Sequence, residues 1–321
     1  MRLHTLALAV VLALVSHTVH AQTTPVIIDT DVGDDVDDAF AIDLALSSPE
    51  LHILGITSVW GDTQLRARMI DRMLCETGRD EITVTAGIPT KSTAMFTQAP
   101  WAKAGIDRAH KDGVTFLLDQ IKAHPGEITL LALGPLTNIG AAIDRDPATF
   151  RKLKRVVLMG GSVHLGYGPT GTAPEPEYNI VRDPASAQKL LRSGVPLFFL
   201  PLDSTQIKFD NARKTELASI STPMTDSLQV LIAEWMRGTK HTEETLFDAV
   251  AAAYVLDPAS CPMTPLHLEI DNKGMTIPSP GAPNADACLT ARPEAFFSIL
   301  MPRLLDQKLV GNKVCLVQPA K

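Results

Sequence analysis

The apolar run Val26-Ile27-Ile28 ends in six aspartates within ten residues: Asp29, Asp31, Asp34, Asp35, Asp37 and Asp38. Ala39-Phe40-Ala41-Ile42 resumes apolar sequence directly after them. The first run reads as a buried strand and the second as the start of a helix, so the acidic segment is a strand-to-helix turn rather than a solvated tail. Carboxylates this close repel one another unless a cation sits among them or water screens them. Tethered between two buried elements, they point to a hard cation bound through oxygen. The bland alternative is one helix cap with the rest solvated. It accounts well for two carboxylates and poorly for six.

Downstream, short β-rich runs alternate with helical patterns. Strands are expected at Val26–Asp29, His52–Val59, Ile128–Leu133, Arg155–Met159 and Val195–Leu200. Helices are expected at Asp38–Ser47, Gln64–Glu76, Val114–Ala123, Leu136–Arg145 and Pro184–Arg192, then at Thr225–Met236 and Thr245–Leu256. This rhythm implies an α/β fold, a mostly parallel open sheet with helices on both faces and a Rossmann-like core. Ligands in such folds bind beyond the carboxyl ends of the strands. The ends at Asp29-Thr-Asp31, Trp60-Gly-Asp62, Leu133 to Asn138, Met159-Gly-Gly161 and Pro201-Leu-Asp203 are therefore expected to converge on one crevice. Ser162–Glu177 and Ile270–Ala287, rich in Gly and Pro, read as irregular loops, the first of them a cover over the site.

The chain has 321 residues. Residues 1–21 read as an export signal: Arg2 and His4 open it, Leu6–Val15 is apolar, and Val19-His20-Ala21 offers small residues for cleavage after Ala21. A periplasmic or secreted location follows as an expectation, with an uncleaved anchor or a chance apolar start as the alternative. Residues 22–321 show no internal repeat or linker, so one domain is expected. A net charge of −7 argues against nucleic acid or anionic membrane as partners. Cys75, Cys261, Cys288 and Cys315 form no CxxC pair, which argues against thiolate zinc. Cys261, Cys288 and Cys315 are near enough in sequence to be disulfide candidates; spacing does not decide between pairing and buried free thiols.

Several segments together resemble the inosine–uridine-preferring nucleoside hydrolases. Asp29-Thr-Asp31-x-Gly33 followed by Asp37-Asp38-Ala39-Phe40-Ala41 resembles that family's DxDPGxDDAxA signature. Gly55 to Gly61, Leu133-Gly-Pro-Leu-Thr-Asn138, Val157-Leu-Met159-Gly-Gly161, Glu177-Tyr-Asn179 with Asp183-Pro-Ala185, and Phe247-Asp248-Ala-Val-Ala251 follow in the family's order. Each match is weak alone; in order, from about Val26 to Ala253, they are specific.

The resemblance implies hydrolysis of the N-glycosidic bond of a ribonucleoside to ribose and free base with a calcium-bound water. It implies calcium ligands at Asp31, Asp38, the carbonyl of Leu133 and Asp248, and Asp31 as the proton acceptor. Asp37, Glu177 and Asn179 would hold ribose hydroxyls, with Asp62 and Met159 as further substrate contacts. Family members are commonly dimers or tetramers, so a homo-oligomer is expected. Two other functional classes fit part of the sequence: a metal-dependent phosphohydrolase, from the likeness of Asp29-Thr-Asp31 to an aspartyl-nucleophile turn, and a non-catalytic nucleoside- or sugar-binding protein.

The chain departs from the pattern in four places. Its acidic turn carries two extra residues, so Asp34-Asp35 competes with Asp37-Asp38 for the family pair, and Asp35 is then a ligand. Asp62 stands where many members have Asn. An Asn before Glu177 is missing. Phe247 replaces a His that protonates the leaving base in some members; His241 and Lys240 are nearby substitutes, with a surface role the default for both. Trp60, Trp101, Tyr167 and Trp235 are aromatic candidates for stacking on a base, core packing being the default for Trp60 and Trp235.

Overall fold

The structure is a computed structural model that describes residues 23–92, 94–311 and 315–316. The expected export signal lies outside the described residues. The strands are β1 (Thr24–Thr30), β2 (Leu51–Ser58), β3 (Thr83–Ala86), β4 (Lys111–Asp112), β5 (Thr129–Ala132), β6 (Arg155–Met159), β7 (Leu197–Leu200), β8 (Lys208–Phe209), β9 (Glu244–Thr245), β10 (Met263–Leu266), β11 (Leu268–Ile270), β12 (Thr276–Pro278) and β13 (Ala285–Cys288). Nine of them form one sheet in the order β10-β13-β7-β6-β5-β1-β2-β3-β4. Every pairing in it is parallel except β10 with β13.

The central strands are apolar at successive positions because both faces of the sheet are covered. Val26 and Ile28 face one core and Ile27 the other; Leu131 and Val157 face the first, Leu130 and Val156 the second. The first core lies under the helices Asp37–Leu46, Thr63–Thr77, Pro223–Thr239, Phe247–Leu256 and Pro293–Leu305. The second is closed by Gly113–Ala123, Thr137–Arg145, Pro184–Leu191 and the β11–β12 hairpin. All ten residues of Asp37–Leu46 are buried, and it packs on Phe247–Leu256, which is buried along nearly its whole length. A helix apolar on all sides belongs in the interior.

The chain runs outward from β1 through β2, β3 and β4, then returns to β5 on the other side of β1 and continues outward through β6 and β7. The direction of winding therefore reverses between β1 and β5, which opens a crevice beyond their carboxyl ends.

Each expected strand and helix is present with its ends shifted by three residues or fewer. The reading of Ile270–Ala287 as an irregular loop needs correction: it contains β12 and most of β13, short strands with too few apolar residues to show a period. Ser162–Pro176 carries no helix or strand, as expected. All four cysteines are paired, Cys75 with Cys315 and Cys261 with Cys288. The first pairing corrects the omission of Cys75 from the candidates, since sequence proximity says nothing about a bridge that spans 240 residues. Among the described residues, no helix is long and apolar enough to cross a membrane.

Candidate active site

A cavity of about 340 Å³ lies at this crevice. Asp31, Asp34, Asp35, Asp37 and Asp38 from the acidic turn line it, with Asp248, Glu177, Asn179, Leu133 and Met159. Asp37 and Asp38 open one buried helix and Asp248 sits in the first turn of the helix packed against it. Three carboxylates thus meet two helix N-termini, where the backbone N–H groups and the helix dipole favour negative charge. One oxygen from each of the three lies within 4.8 Å of the others. The backbone N–H of Asp248 donates to Asp37 Oδ2 at 3.1 Å, and the Thr30 hydroxyl donates to Asp38.

Burial and mutual repulsion dominate the electrostatics. Burial, then the charge of Asp38, lifts Asp31 well above the ordinary carboxylate range, against the pull of Arg66. Burial, then Asp35 and Asp38, does the same to Asp37; burial, then Asp37 and Asp38, does it to Asp248. Burial raises Asp38 to about 7 against the hydrogen bond from Thr30, and Asp35 to about 6 against the hydrogen bond from the Val36 N–H. So many buried carboxylates, with oxygens converging, suit a divalent cation of the hard, oxygen-seeking kind.

The turn is held by a residue that sequence reasoning passed over. Arg66, in the helix Thr63–Thr77, is 1% exposed. It donates to the carbonyls of Asp31, of Val32 at 3.0 Å and of Trp60 at 2.8 Å, and pairs with Asp34 at 2.9 Å. Its guanidinium lies 4.9 Å from the centre of the Phe96 ring. From the other side, Thr97 donates to the Asp34 carbonyl at 2.8 Å, and the Gln98 side chain to the Asp35 carbonyl at 2.6 Å. Gly33 makes this strap fit: its φ is +124°, and a Cβ there would meet Phe96 at 1.9 Å. No spacing rule marks Arg66, one arginine of several on an amphipathic helix.

The expected site residues divide clearly. Asp31, Asp35, Asp37, Asp38, Leu133, Met159, Glu177, Asn179 and Asp248 come together. Asp62 does not line the cavity; its side chain caps the helix Thr63–Thr77 by accepting from the Leu65 N–H at 3.1 Å. Asp203 stands apart as well, accepting from the N–H groups of Val163 and His164 and so anchoring the loop that follows Gly161. Asn138 ties strand ends together, donating to Asp29 Oδ1 at 2.7 Å and to the Ser58 carbonyl at 3.1 Å, and accepting from the Ile88 N–H at 2.9 Å. Asn179 Nδ2 donates to the carbonyls of Leu133 at 2.7 Å and Met159 at 3.1 Å, a bridge between β5 and β6. Glu177 accepts from the N–H groups of Gly161, Asn179 and Ile180, and from the Tyr167 hydroxyl at 3.4 Å.

The remaining wall is apolar and aromatic: Met95, Tyr167, Trp235 and Phe247, with His241 beside Trp235. Tyr167 meets Phe247 edge to face at 6.0 Å. Trp60 is not on this wall, and Trp101 is buried beneath Arg72. His241 lines the cavity, so a surface role is not its whole placement, whereas Lys240 is exposed and ends the helix Pro223–Thr239 with a φ of +66°.

Known proteins resemble this chain in sequence and in fold. The chain is 32% identical to an uncharacterized protein of Schizosaccharomyces pombe over 68% of its own length and 73% of that protein. It is 33% identical to uridine nucleosidase 1 of Arabidopsis thaliana over 60% of this chain, and 34% identical to the pyrimidine-specific ribonucleoside hydrolase RihB of Escherichia coli over 56%. It spans about three fifths of the length of these two, 61% and 60%. A solved plant nucleoside hydrolase, PpNRh1, superposes with a TM-score of 0.76 at 25% identity, over 88% of this chain and 99% of the other. A purine-preferring ribonucleoside hydrolase from Gardnerella vaginalis shares the fold, with a TM-score of 0.74 at 23% identity over 88% and 98%. The family description "Inosine-uridine preferring nucleoside hydrolase" matches residues 26–298, which takes in every element that lines the cavity. The chain belongs to the inosine–uridine-preferring nucleoside hydrolase family.

Proposed function

We propose that the protein hydrolyses the N-glycosidic bond of ribonucleosides, releasing ribose and free base, with calcium as its cofactor. The observation that carries this reading is that Asp31, Asp37, Asp38 and Asp248 line one cavity together with Tyr167, Trp235 and Phe247. A sugar suits the carboxylates and a planar base the aromatic rings. Asp31, Asp38, Asp248 and the Leu133 carbonyl would hold the ion, with Asp37 or Asp35 beside them. When bound, calcium supplies a Lewis acid that orients water and lowers its pKa.

The other steps fall to the chain's own residues. Leaving-group departure builds positive charge on the sugar, and the surrounding carboxylates stabilise it. Asp31 takes the proton of the attacking water. Arg66 fixes its backbone, and Gly134 leaves room for its carboxylate: a Cβ there would lie 2.7 Å from Asp31 Oδ1. Asp37 and the Asn179 carbonyl oxygen accept from ribose hydroxyls. Glu177 already has four protein donors, so a sugar hydroxyl reaching it displaces Tyr167 from the longest of these contacts.

Phe247 brings no proton to the leaving base, so departure relies on the sugar side and on the aromatic wall. The names of the uridine nucleosidase and of RihB put pyrimidine nucleosides first among substrates. Export is part of the proposal, supported by two disulfides of the kind that persist in oxidising compartments. So is assembly into a homo-oligomer.

The test is incubation of the purified protein with calcium and a panel of uridine, cytidine, inosine and adenosine, followed by a reducing-sugar assay. Ribose release that stops on chelation and returns with calcium is expected. No release from any nucleoside, with or without metal, overturns the proposal.

A further inference from the structure

Besides the carboxylates, the side chains that line the cavity and carry a nitrogen or oxygen with no hydrogen-bond partner among the described residues are Tyr178, Asn179, Trp235 and His241. The Tyr178 hydroxyl is closed off from solvent. Asn179 offers a carbonyl oxygen, an acceptor that the ribose takes up in the reading above. His241 is exposed, so its ring nitrogens meet water without cost. Trp235 differs from all three. It is 4% exposed, yet its indole nitrogen, unlike that of Trp60, is not closed off. An indole N–H can only donate. A buried ring that leaves its one polar atom open presents a donor in the cavity it lines, and that donor needs an acceptor.

The helix Pro223–Thr239 fixes the placement of this ring. Trp235 follows Leu228, Leu231 and Ile232 on its buried face, where all four join the first core. Lys240 ends the helix in the left-handed region and turns the chain back. The His241 N–H then donates to Thr239 Oγ1 at 3.2 Å, and that hydroxyl donates to the Trp235 carbonyl at 2.9 Å. The His241 ring meets the Trp235 ring edge to face at 5.8 Å. Tyr167 and Phe247 line the same cavity, so the indole donor belongs to its aromatic lining, which suits the base rather than the sugar.

We infer that the Trp235 indole N–H binds the base by donating to one of its carbonyl oxygens, and that it holds that oxygen as the base departs. The inference rests on the hydrolase reading above. When the N-glycosidic bond breaks, its electron pair stays with the base and spreads onto the carbonyl oxygens. Trp235 keeps its proton, and its hydrogen bond strengthens as negative charge builds on the oxygen. Phe247 supplies no proton, so this donor is the help that the base itself receives. The substrates it favours are nucleosides whose base carries a carbonyl oxygen, such as uridine, cytidine and inosine. Adenine has none and gains nothing from it.

Steady-state kinetics of wild type and Trp235→Phe with uridine, 2-thiouridine, 4-thiouridine and adenosine isolate the contact, because sulfur is a poorer acceptor than oxygen. Where a nucleoside is not turned over, its Ki against uridine replaces the rate. Packing lost with the larger ring lowers every substrate alike. Loss of one neutral hydrogen bond lowers kcat/KM for uridine by a further factor of about 2- to 10-fold. That further factor is absent with adenosine and shrinks on the one thiouridine whose sulfur replaces the partner oxygen. Site-specific replacement of Trp235 by benzothienylalanine exchanges the N–H for sulfur within the same ring outline. It gives the same pattern without the packing loss, and it carries the test where Trp235→Phe does not fold. A loss of equal size on all four substrates assigns Trp235 to packing or to the sugar and overturns the inference, as do unchanged kinetics in the benzothienylalanine protein. Wild-type protein that turns over no nucleoside sinks the hydrolase reading and this inference together, whereas active wild type with an unaffected isostere sinks this inference alone.

Discussion

Replacing Arg66 by methionine tests the account of the acidic turn. The substitution keeps most of the apolar stem and removes a guanidinium that is 1% exposed. Three backbone carbonyls, those of Asp31, Val32 and Trp60, lose their donor, and Asp34 loses its counter-charge. Breaking a buried ion pair from one side costs about 3–5 kcal/mol, and each orphaned carbonyl about 1–3 kcal/mol. These do not add, because the groups form one network. About 3–5 kcal/mol is the expected total. With an unfolding entropy of about 2.1 cal/mol/K per residue over about 300 residues, each kcal/mol moves Tm by about 1.6 °C, so the drop is about 5–8 °C.

The assay is a thermal melt followed by circular dichroism, with calcium present and after chelation. The double variant Arg66→Met with Asp34→Asn is the control that carries the argument. Neutralising Asp34 removes the unpaired charge, so the double variant recovers part of the lost stability although two native side chains are gone. A single variant within about 1 °C of wild type, or a double variant less stable than Arg66→Met, would refute the idea that Arg66 holds the turn as a buried counter-ion.

Other outcomes follow from the same geometry. Asp31→Ala lowers kcat by about 10²–10⁴-fold with the fold intact by circular dichroism; retained turnover removes Asp31 from the role of base. Asp248→Ala weakens calcium binding, read as a raised half-saturating calcium concentration by calorimetry, because one of three converging carboxylates is gone. Burial raises Asp29 and Asp38 to about 7 in the folded, metal-free chain, so both hold protons that the unfolded chain has already lost. Chelated protein therefore loses stability as pH rises from about 4 to about 7, by on the order of 1 kcal/mol per pH unit for each group; a flat or rising profile over that window contradicts this sign. Reducing Cys261–Cys288, which closes a 27-residue separation, costs about 3.5 kcal/mol by the chain-entropy relation, checked by melts with and without dithiothreitol.

The fold was legible because its strands are buried on both faces and its helices are amphipathic or wholly apolar, so each segment states its own type. The carboxyl-end rule then brought Asp31, Leu133 and Met159 together from three strands. What stayed hidden depends on contacts between distant residues. Asp62 and Asp203 follow strands as Asp31 does, yet one caps a helix and the other pins a loop. A carboxylate has the same sequence signature in all three roles. Arg66 reaches the turn from the helix after β2, and Cys75 meets Cys315 across nearly the whole chain. The strap at Thr97 and Gln98 has no periodic pattern because it follows the shape of the turn it covers.

The two extra residues of the turn show how packing assigns roles that spacing leaves open. A helix presents its anion-favouring N–H groups at one end only, and here the helix begins at Asp37. Asp37 and Asp38 therefore take the place beside Asp248, although Asp34 and Asp35 stand closer to Gly33. A carboxylate upstream of that start has no helix N–H groups to lower its cost of burial and must find other partners. Asp34 finds Arg66, and Asp35 stays half-buried with its carboxylate on the N–H of Val36. Neutralising Asp35 tests this. Asp35→Asn keeps an oxygen for the N–H of Val36 and leaves the helix start at Asp37, so calcium affinity holds. A loss of calcium affinity as large as that of Asp248→Ala would place Asp35, rather than the Asp37–Asp38 pair, at the ion.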